Sequence, residues 1–424
     1  MFFRPSTRAR RITGWLLATV LLMVHFSPQA ALLRSLPDTL SIAAGQEVNL
    51  SASFPLKIDL QGASLPADAN TGQTLAQVDP EAATATVSLF GLLPLRQVPI
   101  NIRDDLTLYP GGQAVGVALH TKGVLVVGTS DLSSFSSPAR LAGIKPGDLI
   151  TQIAGQPVDS TDSLTQQVEA CGGQPLPVTI QRGDNTLSLT LTPQKDEPSG
   201  HYRMGAWVRD STAGVGTLSF YGEVEPGQGL RYGALGHAIT DADTQQVLTI
   251  GHGEIMSADV VDVRKGAIGN PGELKGSFLG QQRIIGGIRI NNRFGIYGDM
   301  QQAPVHPLYP DGLPIGRKDA VHTGPATILC TVDGSTMQEY DVEIVEVTRQ
   351  SQSAQRSMVV KVVDQELLAK TGGIVQGMSG SPIIQDGRLI GAVTHVFVND
   401  PTMGYGLYIE WMLNECGATW QRGM

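Results

Sequence analysis

A serine hydroxyl attacks a carbonyl when a base can take its proton and donors await the charge that develops on oxygen. The block Gly377-Met378-Ser379-Gly380-Ser381-Pro382 contains the residue types for this chemistry. Glycines around Ser379 permit a tight turn, and side chains at 377 or 380 would crowd an oxyanion hole built from the N–H groups of Gly377 and Ser379. Ser381 lies two residues on, but the flanking glycines centre the turn on Ser379. Taken alone, the same six residues would also serve as a plain turn between strands. The best base is His237, in Tyr232-Gly233-Ala234-Leu235-Gly236-His237-Ala238-Ile239, where small neighbours leave an imidazole accessible. His252 and His395 read more easily as structural or surface histidines. A carboxylate should hold the imidazole tautomer. Asp364, at the end of the β-rich run 358–363, and Asp241 and Asp243, close to His237 in sequence, are candidates that the residues alone leave open.

No metal or other cofactor is expected. Asp241-Ala242-Asp243 and His252-Gly253-Glu254 carry oxygen and imidazole donors, but neither completes an HExxH helix or a calcium loop. Cys171, Cys330 and Cys416 are too widely spaced for a CxxC knuckle or a disulfide ladder and read as buried, inert thiols.

Such a serine needs a rigid scaffold. Ile383-Ile384, a turn at Asp386-Gly387 and the apolar run 389–393 spell a hairpin directly after the serine. The block itself resembles the nucleophile loop of trypsin-like serine proteases, in which such a hairpin belongs to the second of two β-barrels. Upstream, Ala139-Arg140-Leu141-Ala142-Gly143-Ile144-Lys145-Pro146-Gly147-Asp148-Leu149-Ile150 resembles the core signature of PDZ domains. Strands at 115–119 and 124–127, a helix near 163–171 and strands at 178–181 and 187–192 complete that pattern over 105–195. A PDZ domain takes a peptide as an added strand and holds its carboxylate on backbone N–H groups. The expected peptide contacts are therefore Gly111 and Gly112, in a glycine-rich entry, and Val115 and Val117 on the following strand.

Three longer stretches sharpen the resemblance. They are 206–217 (Ala206-Trp207-Val208-Arg209-Asp210-Ser211 and onward), 233–243 around His237, and 370–400, which includes Thr394-His395-Val396-Phe397-Val398-Asn399-Asp400. Together they resemble the stage IV sporulation protein B family of endospore-forming bacteria. The resemblance implies a catalytic triad of His237, Asp364 and Ser379 in a serine endopeptidase. It also implies self-cleavage, and a substrate that is a membrane-bound inhibitory partner of an intramembrane protease, whose release activates a late sigma factor. The implied location is the space between the mother-cell and forespore membranes. A non-enzymatic PDZ adaptor that recruits a membrane protein is the alternative; it would predict a broken triad.

Composition bounds these readings. A chain of 424 residues exceeds one compact core, and 41% hydrophobic against 16% charged residues excludes a disordered chain. With 50 Gly, 25 Pro and few aromatics, a mainly β protein with many turns is expected. A formal charge of −9 without a basic block argues against nucleic-acid binding. Arg4, Arg8, Arg10 and Arg11 precede the apolar run 12–26, as in an export signal or a marginal membrane anchor, with Gln29-Ala30-Ala31 a candidate cleavage point. The expected order is a signal or anchor over 1–31, a small β region over 32–104, a PDZ domain over 105–195, and a chymotrypsin-like double β-barrel over 196–424.

Overall fold

The computed structural model describes residues 106–416 apart from 226 and 279–282, together with 83–103 and shorter strand segments between 40 and 78. The expected signal or anchor lies outside the described residues. Among the described residues no helix is long and apolar enough to cross a membrane. The chain divides into two compact units, one formed by 1–105 with the C-terminal end and one by 106–419.

The first unit is all β where it is described. Ala83–Leu89 and Leu93–Arg103 form a hairpin whose turn places Phe90 and Gly91 at φ 56° and 70°. Leu56–Gln61 pairs antiparallel with the first of these strands, and Leu40–Ala43 pairs parallel with the second.

The second unit contains two rings of six strands. In the first ring, β1 (Ala114–Thr129) pairs with β2 (Ala206–Glu223) and β4 (Ile250–Ser257). β3 (Leu230–Ala234), β5 (Ile284–Asn292) and β6 (Gly295–Met300) complete it, in the order β1-β4-β5-β6-β3-β2 and back to β1. Leu218, Tyr221, Tyr232, Ile255 and Ile296 are buried together in its core, each worth about 1.5–3 kcal/mol or more of apolar burial. The second ring is a closed barrel of β7 (Gly324–Asp333), β8 (Thr336–Val347), β9 (Met358–Val362), β10 (Pro382–Gln385), β11 (Arg388–Phe397) and β12 (Asp400–Tyr408). Its sequence shows why. On β8, buried Tyr340, Val342 and Ile344 alternate with exposed Asp341, Glu343 and Val345, the period of a sheet with one dry face. Asp386 and Gly387, at φ 51° and 70°, form the two-residue turn between β10 and β11.

The PDZ fold is inserted into the first ring. β1 leaves the barrel near His120, and its second half pairs with Leu149–Ile153 inside the PDZ fold. The chain then forms α1 (Thr161–Ala170), capped by Ser160, and the hairpin of Leu176–Arg182 with Asn185–Leu191. It returns to the barrel along β2, whose first residues pair with the second half of β1. Leu119, Leu125, Leu149 and Leu248 form a shared apolar cluster where the two folds meet. β1, within the expected 105–195, and β2, within the expected 196–424, each run unbroken from one fold into the other. Where two strands were expected at 115–119 and 124–127, there is one strand of 16 residues.

Candidate active site

Ser379 follows helix α2 (Gln365–Thr371) and precedes β10. Its loop is locally dictated. Gly377 and Gly380 sit at φ +97° and +100°, and a Cβ at 380 would lie 2.1 Å from the carbonyl oxygen of Thr217. The carbonyls of Gln376 and Met378 are engaged, the first by the N–H of Leu274 (2.8 Å), the second by the N–H and hydroxyl of Ser381 (3.0 and 2.7 Å). A trans peptide holds C=O and the following N–H on opposite sides, so the N–H groups of Gly377 and Ser379 point away from these partners. Neither N–H donates to a protein acceptor among the described residues. Ser381 is a buried brace for this loop.

His237 follows β3 and lines the same cleft as Ser379, a space of about 870 Å³ between the two barrels. The cleft is lined by Val215, Leu235, Ile374, Val375 and Val396, and by Arg293. Nδ1 of His237 lies 2.9 Å from the carbonyl oxygen of Ala238. With Nδ1–H donating there, Nε2 is left free to accept a proton. Burial holds the His237 pKa below the ordinary histidine value. The Ser379 hydroxyl donates to the carbonyl of Thr394 at 2.7 Å, so serine and imidazole share the cleft without a direct hydrogen bond in this conformation. His395 joins them, its ring centroid 4.9 Å from that of His237. Burial, and then the neighbouring His237 and Arg356, push its pKa down to about 4.

The carboxylates stand elsewhere. Asp364 is the N-cap of α2: one oxygen accepts the N–H of Leu367 at 2.8 Å, the other the N–H of Asp341 at 3.4 Å. It makes no hydrogen bond to His237 and does not line the cleft. The structure therefore does not assemble the expected His237–Asp364 pair, because the end of β9 directs Asp364 onto its own helix. Asp241 and Asp243 are both bound by Arg209 of β2. His252 stacks on His120 at 4.3 Å, outside the cleft lining.

Two residues that sequence reading missed hold the site together. Asn291 of β5 accepts the N–H of Ile239 (2.8 Å) and donates to the carbonyls of Ile239 and Leu248 (2.9 and 3.0 Å), bracing the chain just after His237. Thr217 of β2 contacts the serine loop from the opposite barrel. Neither has a motif; strand pairing within the first ring places Asn291, and the packing of one barrel on the other places Thr217.

The expected peptide contacts Gly111, Gly112, Val115 and Val117 do not form a PDZ groove. The N–H groups of Gly111 and Gly112 are spent on the carbonyls of Ser219 and Leu218, and Val115 and Val117 are buried in the first barrel. A Cβ on Gly112 would strike Met337 and Leu329. The groove lies instead between α1 and the start of β2, a space of about 780 Å³ lined by Leu164, Thr165, Val168, Gly205, Ala206 and Trp207. Met204 and Gly205 turn their carbonyls inward, to the N–H of Ala139 (2.7 Å) and to Ser130 and Ser137 (3.0 and 2.7 Å). The N–H groups of Gly205 and Ala206 consequently face away from these partners, as a carboxylate-binding turn requires. On its other side, 206–209 pairs with no strand among the described residues.

A two-barrel fold with a serine, an imidazole and an open pair of N–H groups in one cleft defines the class of serine peptidases. Residues 200–413 match the SpoIVB peptidase S55 family, about half of the chain, and residues 136–182 match the PDZ domain. The chain belongs to the SpoIVB peptidase S55 family and carries a PDZ domain. Among curated proteins, it is 29% identical over 132 residues to a putative zinc metalloprotease of Treponema pallidum, covering 28% of each chain. It is 24% identical over 152 residues to the putative serine protease HhoB of Synechocystis, covering 36% of this chain and 34% of that one. The chain thus spans about a third or less of the length of these two relatives. Among solved structures, it matches the active form of the Rv3671c protease of M. tuberculosis at 16% identity and a TM-score of 0.28, covering 49% of this chain and 76% of that one. It also matches the PDZ domain of an SdrC-like protein of Listeria monocytogenes at 22% identity and a TM-score of 0.19, covering 20% of this chain and 87% of that one.

Proposed function

We propose that the protein is an endopeptidase in which Ser379 is the nucleophile and His237 the general base, with the N–H groups of Gly377 and Ser379 as the oxyanion hole. One observation carries this reading: two unspent N–H groups flank a serine hydroxyl that shares its cleft with an imidazole of the needed tautomer. The reaction requires the Ser379 hydroxyl to exchange the Thr394 carbonyl for Nε2 of His237, across the cleft that both residues line. Oγ then adds to the scissile carbonyl carbon while its proton passes to Nε2, and the carbonyl π pair moves onto oxygen beneath the two N–H groups. Nε2 returns the proton to the leaving amine as the C–N bond breaks, and water repeats the sequence on the acyl-enzyme. The Ala238 carbonyl sets the tautomer that a carboxylate sets elsewhere. Covalent labelling with a fluorophosphonate, followed by mass-spectrometric mapping, tests this reading. The expected adduct is on Ser379 and disappears in His237→Ala; an adduct elsewhere, or labelling that survives without His237, refutes it.

The substrate proposed on family grounds is a membrane-bound inhibitory partner of an intramembrane protease, cut between the mother-cell and forespore membranes so that a late sigma factor is activated. Self-cleavage and attachment through the N-terminal segment belong to the same reading. The groove between α1 and β2 supports a protein substrate held by an extended peptide, which makes the cleavage encounter effectively intramolecular. Following cleavage of the purified candidate inhibitor by the wild-type and Ser379→Ala proteins tests the assignment; equal processing by both removes it.

A further inference from the structure

The reaction proposed above requires the N–H groups of Gly377 and Ser379 to keep one orientation. Leu274 and Ser381 hold the peptides that carry them, but the Gly377–Met378 peptide between the two follows a glycine and needs a partner of its own. Thr217 is 1% exposed on β2, in the opposite barrel from the serine loop. Its hydroxyl donates to the carbonyl of Gly377 at 2.7 Å, and its N–H donates to the carbonyl of Ser379 at 3.0 Å. Its own carbonyl accepts the N–H of Leu235, two residues before His237, at 3.2 Å. One residue therefore holds the carbonyl of each proposed oxyanion donor and the strand end that leads to the base.

We propose that Thr217 is a positioning residue that locks the oxyanion hole. Its hydroxyl bond to Gly377 spans the interface between the barrels and fixes the Gly377–Met378 peptide plane, the hinge between the two donor N–H groups. The N–H bond to Ser379 survives any side-chain substitution, so the hydroxyl is the part that mutation can isolate. Loss of the hydroxyl leaves the Gly377 carbonyl without its partner in a partly buried contact, and the peptide can then turn to find another donor.

The inference rests on the oxyanion assignment, and the experiment separates the two. Thr217→Val keeps the shape and removes the donor, and Thr217→Ser keeps the donor. On a small p-nitrophenyl ester, Thr217→Val is expected to lower kcat by roughly 10–100-fold, somewhat less than deletion of an oxyanion donor itself, with KM within about twofold. Affinity for a peptide trifluoromethyl ketone, whose adduct places an oxyanion in the hole, should fall by the same factor. Thr217→Ser should restore both to near the wild-type values. Thermal unfolding checks the fold; if Thr217→Val does not fold, Thr217→Ala is compared with Thr217→Ser in the same assays. Wild-type kcat in a folded Thr217→Val or Thr217→Ala protein overturns the proposal, as does equal loss in the Ser variant. Absence of a Ser379 adduct in the wild-type protein overturns the oxyanion reading first.

Discussion

Substitution of Asp364 separates two physical roles that its sequence position cannot. As the third member of a triad it would hold the tautomer of His237, and an Asn there would lower turnover by about 10⁴. As the N-cap of α2 it offers an oxygen to the N–H of Leu367 at 2.8 Å, and Asn caps a helix about as well as Asp. The structure predicts that Asp364→Asn labels with fluorophosphonate at nearly the wild-type rate and loses only a few tenths of a kcal/mol. Asp364→Ala removes the cap, which costs about 1 kcal/mol and lowers Tm by about 1–2 °C for a folding unit that spans 106–419. The assay pairs the initial labelling rate at 25 °C with thermal unfolding of the same samples. An Asn variant that melts normally but labels a thousandfold more slowly would refute the capping argument and restore Asp364 to the chemistry.

Ser379→Ala and His237→Ala should each reduce peptide turnover by roughly 10⁴–10⁶ without a change in thermal unfolding; near-normal turnover in either removes that residue from the mechanism. Burial lowers the His237 pKa and catalysis needs the neutral ring, so activity rises as pH rises through that value; the acid limb of kcat/KM should be centred below the ordinary histidine value of about 6.5, and a midpoint above it contradicts the burial. Thr165→Trp, at an exposed position lining the α1–β2 groove, should slow processing of a protein substrate and leave Ser379 labelling unchanged; unchanged processing shows the groove is dispensable. Gly112→Val, by contrast, places side-chain atoms against Met337 and Leu329 at a φ of +107°, so it should lower Tm and labelling together.

The sequence by itself determined what depends on neighbours along the chain. The turn around Ser379 is legible because Gly377 and Gly380 adopt φ values that other residues resist. The barrel hairpin after it is legible through Asp386-Gly387, and the helix expected near 163–171 is α1, which begins at Thr161. The PDZ signature at 139–150 marked a fold correctly, and small residues around His237 pointed to an imidazole that lines the cleft. Tertiary structure decided everything set by strand pairing. The segments 115–119 and 206–209 are both short extended runs, and nothing local states which one borders α1. Pairing buries the first inside a barrel and leaves one edge of the second beside the groove. Asp364 reads equally well as a triad member or a cap until β9 and α2 fix its direction. Thr217 and Asn291 carry no motif; the closed first ring brings Asn291 to Ile239, 52 positions away, and packing between the barrels brings Thr217 to Gly377, 160 positions away.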